Sequence, residues 1–237
     1  MRCYMALFSP INRWTQIEPL LVKDSIQEAF EIWGRPRAIR VDNGSPWGTS
    51  SAVPSALALW IVGLGTQVFY GRPRCSTDNG LVERCHGVLD KWVAPETQAD
   101  FAACQERLEE AIWTQRERYR SPHHETRAQA YPQLYENLRT YSRREDEALW
   151  ELKRVARFLS AYTFERKVEK NGRITLMANS YSVGREYAGQ VLSVSLSLST
   201  QKWIVNNDYG DEITQFESKE LDYEKISNLQ LAKRRKK

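Results

Sequence analysis

The chain has 237 residues, of which 41% are hydrophobic and 27% charged, and its formal net charge is +4. That length holds one large or two smaller domains, and the balance is that of an ordinary globular protein. No apolar run approaches the roughly 20 residues of a bilayer span, and Met1–Phe8 runs into polar sequence without a signal-peptide pattern, so a cytoplasmic protein without a membrane partner is expected. Cys3, Cys75, Cys85 and Cys104 lack the spacing of a disulfide framework and read as reduced thiols. The arginines crowd residues 35–40, 72–84 and 116–127, and the tail ends in Lys233-Arg234-Arg235-Lys236-Lys237. Clusters of this kind suit a polyanionic partner better than the modest net charge alone would suggest.

In chain order, residues 2–22 read as extended, with a turn at Pro10-Ile11-Asn12. Ser25 and Glu28 have the spacing of a capping box for a helix that ends at Gly34, with Ile26, Phe30 and Trp33 as its buried stripe. Ala38–Val41 is a short strand. Residues 54–64 form a buried helix closed by Gly65, and residues 66–70 a second strand. Gly71–Gly80 is a loop. Leu81, Cys85, Val88, Leu89 and Trp92 then share one face of a helix. Helices follow over about 100–119, 131–141 and 144–160. From Arg166 the texture changes to short strands punctuated by turns such as Asn171-Gly172 and Tyr209-Gly210, as in a small antiparallel barrel of about 55 residues. Strands alternating with helices before that point indicate an α/β layer.

Two acids stand out. Asp42 follows the Ala38–Val41 strand, and Asn43-Gly44 supplies a turn that aims it into the crevice where α/β sheets bind ligands. Glu83 lies early in the later helix, on the face opposite the apolar stripe, together with Gly87 and Asp90. Each context alone is common, since Asp-Asn-Gly is an everyday turn. Together they suit a hard divalent cation, which takes a few carboxylate oxygens and leaves its other positions to water and phosphate. Two such metals about 3.5–4 Å apart would serve an in-line phosphoryl transfer. Arg72 and Arg74 in the loop suit phosphate contact. Cys75, Cys85 and His86 have no structural zinc spacing, and His123-His124 has no nucleophile to serve.

The segment Gly34-Arg35-Pro36 through Ile39-Arg40-Val41-Asp42-Asn43-Gly44-Ser45-Pro46-Trp47 resembles the second-Asp motif of insertion-sequence DDE transposases, in the retroviral-integrase superfamily. Residues 73–87, with Asn79-Gly80-Leu81-Val82-Glu83-Arg84 and His86-Gly87, resemble the motif that carries their Glu. The likeness continues through Tyr119–Tyr135 and into Arg166-Lys167-Val168, Gly172-Arg173-Ile174 and Tyr181-Ser182-Val183-Gly184. It implies an RNase H-like integrase core over residues 1–142, a helical connector over 143–165, an SH3-like barrel over 166–222 and a basic tail over 223–237. It also implies transposition by Mg²⁺- or Mn²⁺-dependent strand transfer. Asp42 and Glu83 would be the catalytic metal ligands, and Arg72, Arg74, Asn79, Arg84 and Lys91 would contact double-stranded DNA. A homo-oligomer, or a full-length transposase as partner, is the expected assembly.

The pattern departs from the family in three places. Forty residues stand between the two acids, more than is usual, with the excess placed near Gly48–Val53. Asp90 occupies the position of the basic residue that normally follows the Glu, leaving Lys91 adjacent. Residues 1–22 contain no Asp; Met1 falls in what reads as the second strand, Glu18 is in the wrong strand, and Asp24 beside Ser25 suits a helix N-terminus. The expectation is therefore an N-terminally truncated form, weakly active or inactive alone. The alternatives are a non-catalytic DNA-binding or regulatory remnant, and a different RNase H-like nuclease such as a junction resolvase.

Overall fold

The computed structural model describes residues 18–48, 53–72, 80–120, 125–132, 135–136, 139–177 and 179–231. The strand expected over residues 2–17, the His123-His124 pair, Arg74, Asn79 and the end of the basic tail lie outside them. The protein is mixed α/β, and its contacts gather into two compact units. One comprises the residues up to Pro36 together with Gly71–Arg143; the other comprises Arg37–Tyr70 together with Arg144 onwards. No described helix is long and apolar enough to cross a membrane.

In the first unit, α1 spans Pro19–Trp33. It starts six residues before the expected capping box, because Pro19 at its first turn presets the helical φ. Ser25 is therefore inside the helix, and its hydroxyl donates back to the Leu21 carbonyl at 3.0 Å. Residues 19–22 are consequently helical, not extended. Gly34 stops the helix at φ 72, with its N–H on the Phe30 carbonyl. Phe30 is buried and meets Tyr141 edge-on, and Gln27 donates to the Tyr141 hydroxyl at 3.0 Å.

Helices α3 (Gly80–Val93) and α4 (Phe101–Glu117) pack through Cys85, Leu89, Val93, Cys104 and Ala111. Asp100 caps α4 by accepting from the Ala103 N–H at 2.9 Å. Cys85 and Cys104 are free thiols. A short helix, α5 (Arg127–Ala130), starts from a Thr126–Gln129 capping box. The helix expected over 131–141 is not found among its described residues. Its backbone bonds across the fold instead: the Arg35 N–H takes the Arg139 carbonyl at 2.8 Å, and the Arg139 guanidinium reaches the Pro36 carbonyl at 2.7 Å.

In the second unit, β1 (Ala38–Val41) and β2 (Gln67–Tyr70) pair in parallel, Ala38 opposite Gln67 and Val41 opposite Tyr70. Parallel neighbours need a crossover, here the helix α2 (Ala56–Gly63). Every residue of α2 is buried, as suits a helix that is apolar all round. It packs against α7 (Leu152–Ser160) and α8 (Tyr223–Ser227).

The charged helix expected over 144–160 is broken into α6 (Asp146–Leu149) and α7. The cause is tertiary. The Glu151 N–H bonds the Gly63 carbonyl of α2 at 3.0 Å, and the Trp150 indole lies so close to Gly63 that a Cβ there would come within 1.9 Å of its Nε1.

The C-terminal strands are β3 (Thr163–Lys167), β4 (Arg173–Leu176), β5 (Asn179–Ser182), β6 (Val191–Leu196), β7 (Lys202–Asn206) and β8 (Glu212–Glu217). They form an antiparallel sheet of order β3-β6-β7-β8 and a separate β4-β5 hairpin. Leu192, Val194, Leu196, Trp203 and Val205 alternate inward to make its core. The expected closed barrel is not formed among the described residues: β3 and β8 are edges, and β4 and β5 pair only with each other. Side chains hold the hairpin instead. Glu220, 1% exposed, accepts from the Trp203 indole at 2.7 Å, the Tyr181 hydroxyl at 2.6 Å and Asn179 at 3.3 Å. These donors come from β7 and β5, so one carboxylate ties the hairpin to the sheet.

Candidate active site

Asp42 is the first residue beyond β1, and it is exposed while Val41 before it is buried. The turn that follows closes on Gly44, whose carbonyl accepts from the Trp47 N–H at 2.9 Å and the Gly48 N–H at 2.8 Å. Two glycines make this closure possible. A Cβ on Gly44 would press on Asp42 Oδ2 at 3.2 Å, and one on Gly48 would collide with the Asn43 carbonyl oxygen at 2.0 Å. The turn is also tethered to the neighbouring strand, since the Tyr70 hydroxyl donates to the Trp47 carbonyl at 3.2 Å.

Glu83 stands in the first turn of α3, where a carboxylate complements the helix dipole. It is exposed, as are Gly87 and Asp90 on the same side, while Cys85 and Leu89 are buried against α4. The amphipathic division expected for this helix is therefore observed. Among the described residues, no hydrogen bond or ion pair engages the carboxylate of Asp42 or of Glu83. Arg72, Arg84 and Lys91 are exposed, and Lys91 borders a shallow groove with Trp92, Arg107 and Thr114. Glu83, Arg72, Arg84 and Lys91 belong to the first unit and Asp42 to the second.

No protein-family model matches this sequence. The site must therefore be judged on its own donors. Each carboxylate taken by itself, exposed and without a competing cation among the described residues, is a donor of the kind Mg²⁺ or Mn²⁺ takes, since such ions bind one or two protein carboxylates and complete their shell with water and phosphate. Among the described residues no three His, Cys, Asp or Glu side chains gather as a metal group.

Three residues of consequence went unnoticed in the sequence. Tyr70 was legible only as a strand residue; its place opposite Val41 depends on the parallel register. Asp146, 5% exposed, accepts on Oδ2 from both the Trp60 indole and the Tyr223 hydroxyl at 2.9 Å. Glu220 is the third. Nothing local distinguishes these two acids from the solvated ones around them, because their donors lie far away in sequence.

Burial raises the Glu220 carboxyl above the usual range, against the opposing pull of its Tyr181 and Trp203 hydrogen bonds. A raised acid in a cleft can mark a catalytic group. Here its two closest donors, the Tyr181 hydroxyl and the Trp203 indole, are part of the packed interior, which identifies Glu220 as a structural acid.

Proposed function

We propose that this chain is a DDE-transposase-type polynucleotidyl transferase with an RNase H-like core, and that Asp42 and Glu83 are two of its metal ligands. What supports the reading is the exposure of both acids from ordered frames: Asp42 at the carboxyl end of a parallel strand, Glu83 on the polar face of α3. Bound Mg²⁺ or Mn²⁺ would supply charge neutralisation at the scissile phosphate. The chain's own residues would do the rest. Asp42 and Glu83 offer their oxygens to the cation, while Arg72, Arg84 and Lys91, with Arg74 and Asn79 from the intervening sequence, grip DNA phosphates and fix the register. Double-stranded DNA is thus the proposed substrate and a homo-oligomer or full-length transposase the proposed partner.

Residues 1–22 contain no Asp, and the proposal assigns two metal-ligating acids, Asp42 and Glu83. The hypothesis is that the chain joins transposon-end duplexes to target DNA weakly or not at all alone. A strand-transfer assay in Mg²⁺ decides it, and robust joining by the purified chain that survives Asp42→Asn would refute the assignment. A second reading, a non-catalytic DNA-binding or regulatory remnant, draws on the same two-acid count. It predicts duplex binding that falls steeply with salt, is unchanged by Asp42→Asn, and poisons a complete transposase when mixed with it.

A further inference from the structure

We infer that Tyr70 is a positioning residue for Asp42, acting through the main chain of the turn between them. This rests on the reading of Asp42 as a metal ligand. Tyr70 sits opposite Val41 in the parallel register, so its side chain leaves the sheet at the level where Asp42 begins. Its hydroxyl donates to the Trp47 carbonyl at 3.2 Å. One phenol therefore tethers the end of the Asp42 turn to the neighbouring strand β2.

The constraint is passed on by close contact. Trp47 and Gly48 both donate to the Gly44 carbonyl, Gly48 lies flat against the Asn43 carbonyl, and the Asp42 carboxylate leans over Gly44. No hydrogen bond holds that carboxylate among the described residues. Its direction is therefore set by this turn and not by a partner of its own. Burial pushes the Tyr70 hydroxyl up to about 12, so it remains a donor throughout the neutral range. Groups that orient a metal ligand from behind typically change affinity by about 10- to 100-fold when removed; Tyr70 acts one step further back, so an effect near the lower end is expected.

The test compares the full chain with Tyr70→Phe, Gly48→Ala and Asp42→Asn. Mn²⁺ affinity is read by titration, the 43–48 turn by hydrogen exchange, and the fold by thermal unfolding. The expected result is faster exchange confined to the turn and an Mn²⁺ affinity lowered about tenfold in Tyr70→Phe, with unfolding little changed. Gly48→Ala opens the same turn from its other side and should lower affinity in the same direction. If Asp42→Asn abolishes binding while Tyr70→Phe and Gly48→Ala bind as the parent does, this inference fails and the metal reading stands. If Asp42→Asn itself leaves Mn²⁺ affinity unchanged, the metal reading fails and takes the inference with it.

Discussion

Asp42 and Glu220 are carboxylates of the same compact unit, yet they meet opposite conditions. Glu220 is 1% exposed and satisfied by three donors from two strands. Asp42 is exposed and has no donor among the described residues. A buried acid is tolerated only where its oxygens are bonded, so Glu220 reports on what holds the fold together. Asp42, held out by its turn, contributes no such internal bond among the described residues. Asp146 belongs with Glu220, and Glu83 with Asp42.

The contrast can be broken most forcefully at the buried end. Trp203→Ala removes a fully buried indole and one of the Glu220 donors. Urea unfolding should show a loss of about 3–5 kcal/mol, the range for a large aromatic cut to Ala in a core. Asp146→Ala leaves the Trp60 N–H and the Tyr223 hydroxyl without their acceptor, at a cost of about 3 kcal/mol. A change under 1 kcal/mol there would mean that water replaces the carboxylate and that the buried-staple view is wrong.

Glu220→Gln sharpens the comparison through pH. The folded-state pKa of Glu220 is raised, so the native state holds its proton after the unfolded chain has released it. Its favourable contribution is full below the ordinary carboxylate value of 4.5 and is lost as pH rises through the folded value. The stability advantage of the parent over Glu220→Gln should therefore shrink with rising pH, as read from denaturant midpoints across that window. An advantage that grows with pH would reverse the assignment.

The smallest effect on stability belongs to the exposed pair. Asp42→Asn and Glu83→Gln should each shift unfolding by no more than about 0.5 kcal/mol, as surface substitutions do, while Mn²⁺ binding is lost. If either cost as much as Asp146→Ala, the division between internal and outward-facing acids would collapse.

Much of this was legible in the sequence. The Ala38–Val41 strand, the apolar helix before Gly65, and the amphipathic helix with Glu83 opposite Cys85 and Leu89 all appear within a residue or two of their expected bounds. Each is specified by a local period and a local stop signal. One misreading was local and the others tertiary. Ser25 resembled a cap until Pro19 began the helix earlier, and residues 144–160 resembled one helix until Gly63 took the Glu151 N–H. The C-terminal strands resembled a barrel until β4 and β5 paired only with each other. Arg74 and Asn79 lie outside the described residues, and their part in DNA contact rests on sequence alone.

The sequence by itself determined the strand at Ala38–Val41, the buried helix before Gly65 and the polar face of the Glu83 helix, because periodicity and turn chemistry act over a few residues. Only the tertiary structure decided that Arg37–Tyr70 folds with the C-terminal half, that Asp146 and Glu220 are interior, and that Tyr70 braces the Asp42 turn. Those outcomes depend on partners tens of residues apart, such as Trp60 with Asp146. Short-range patterns carry no record of them.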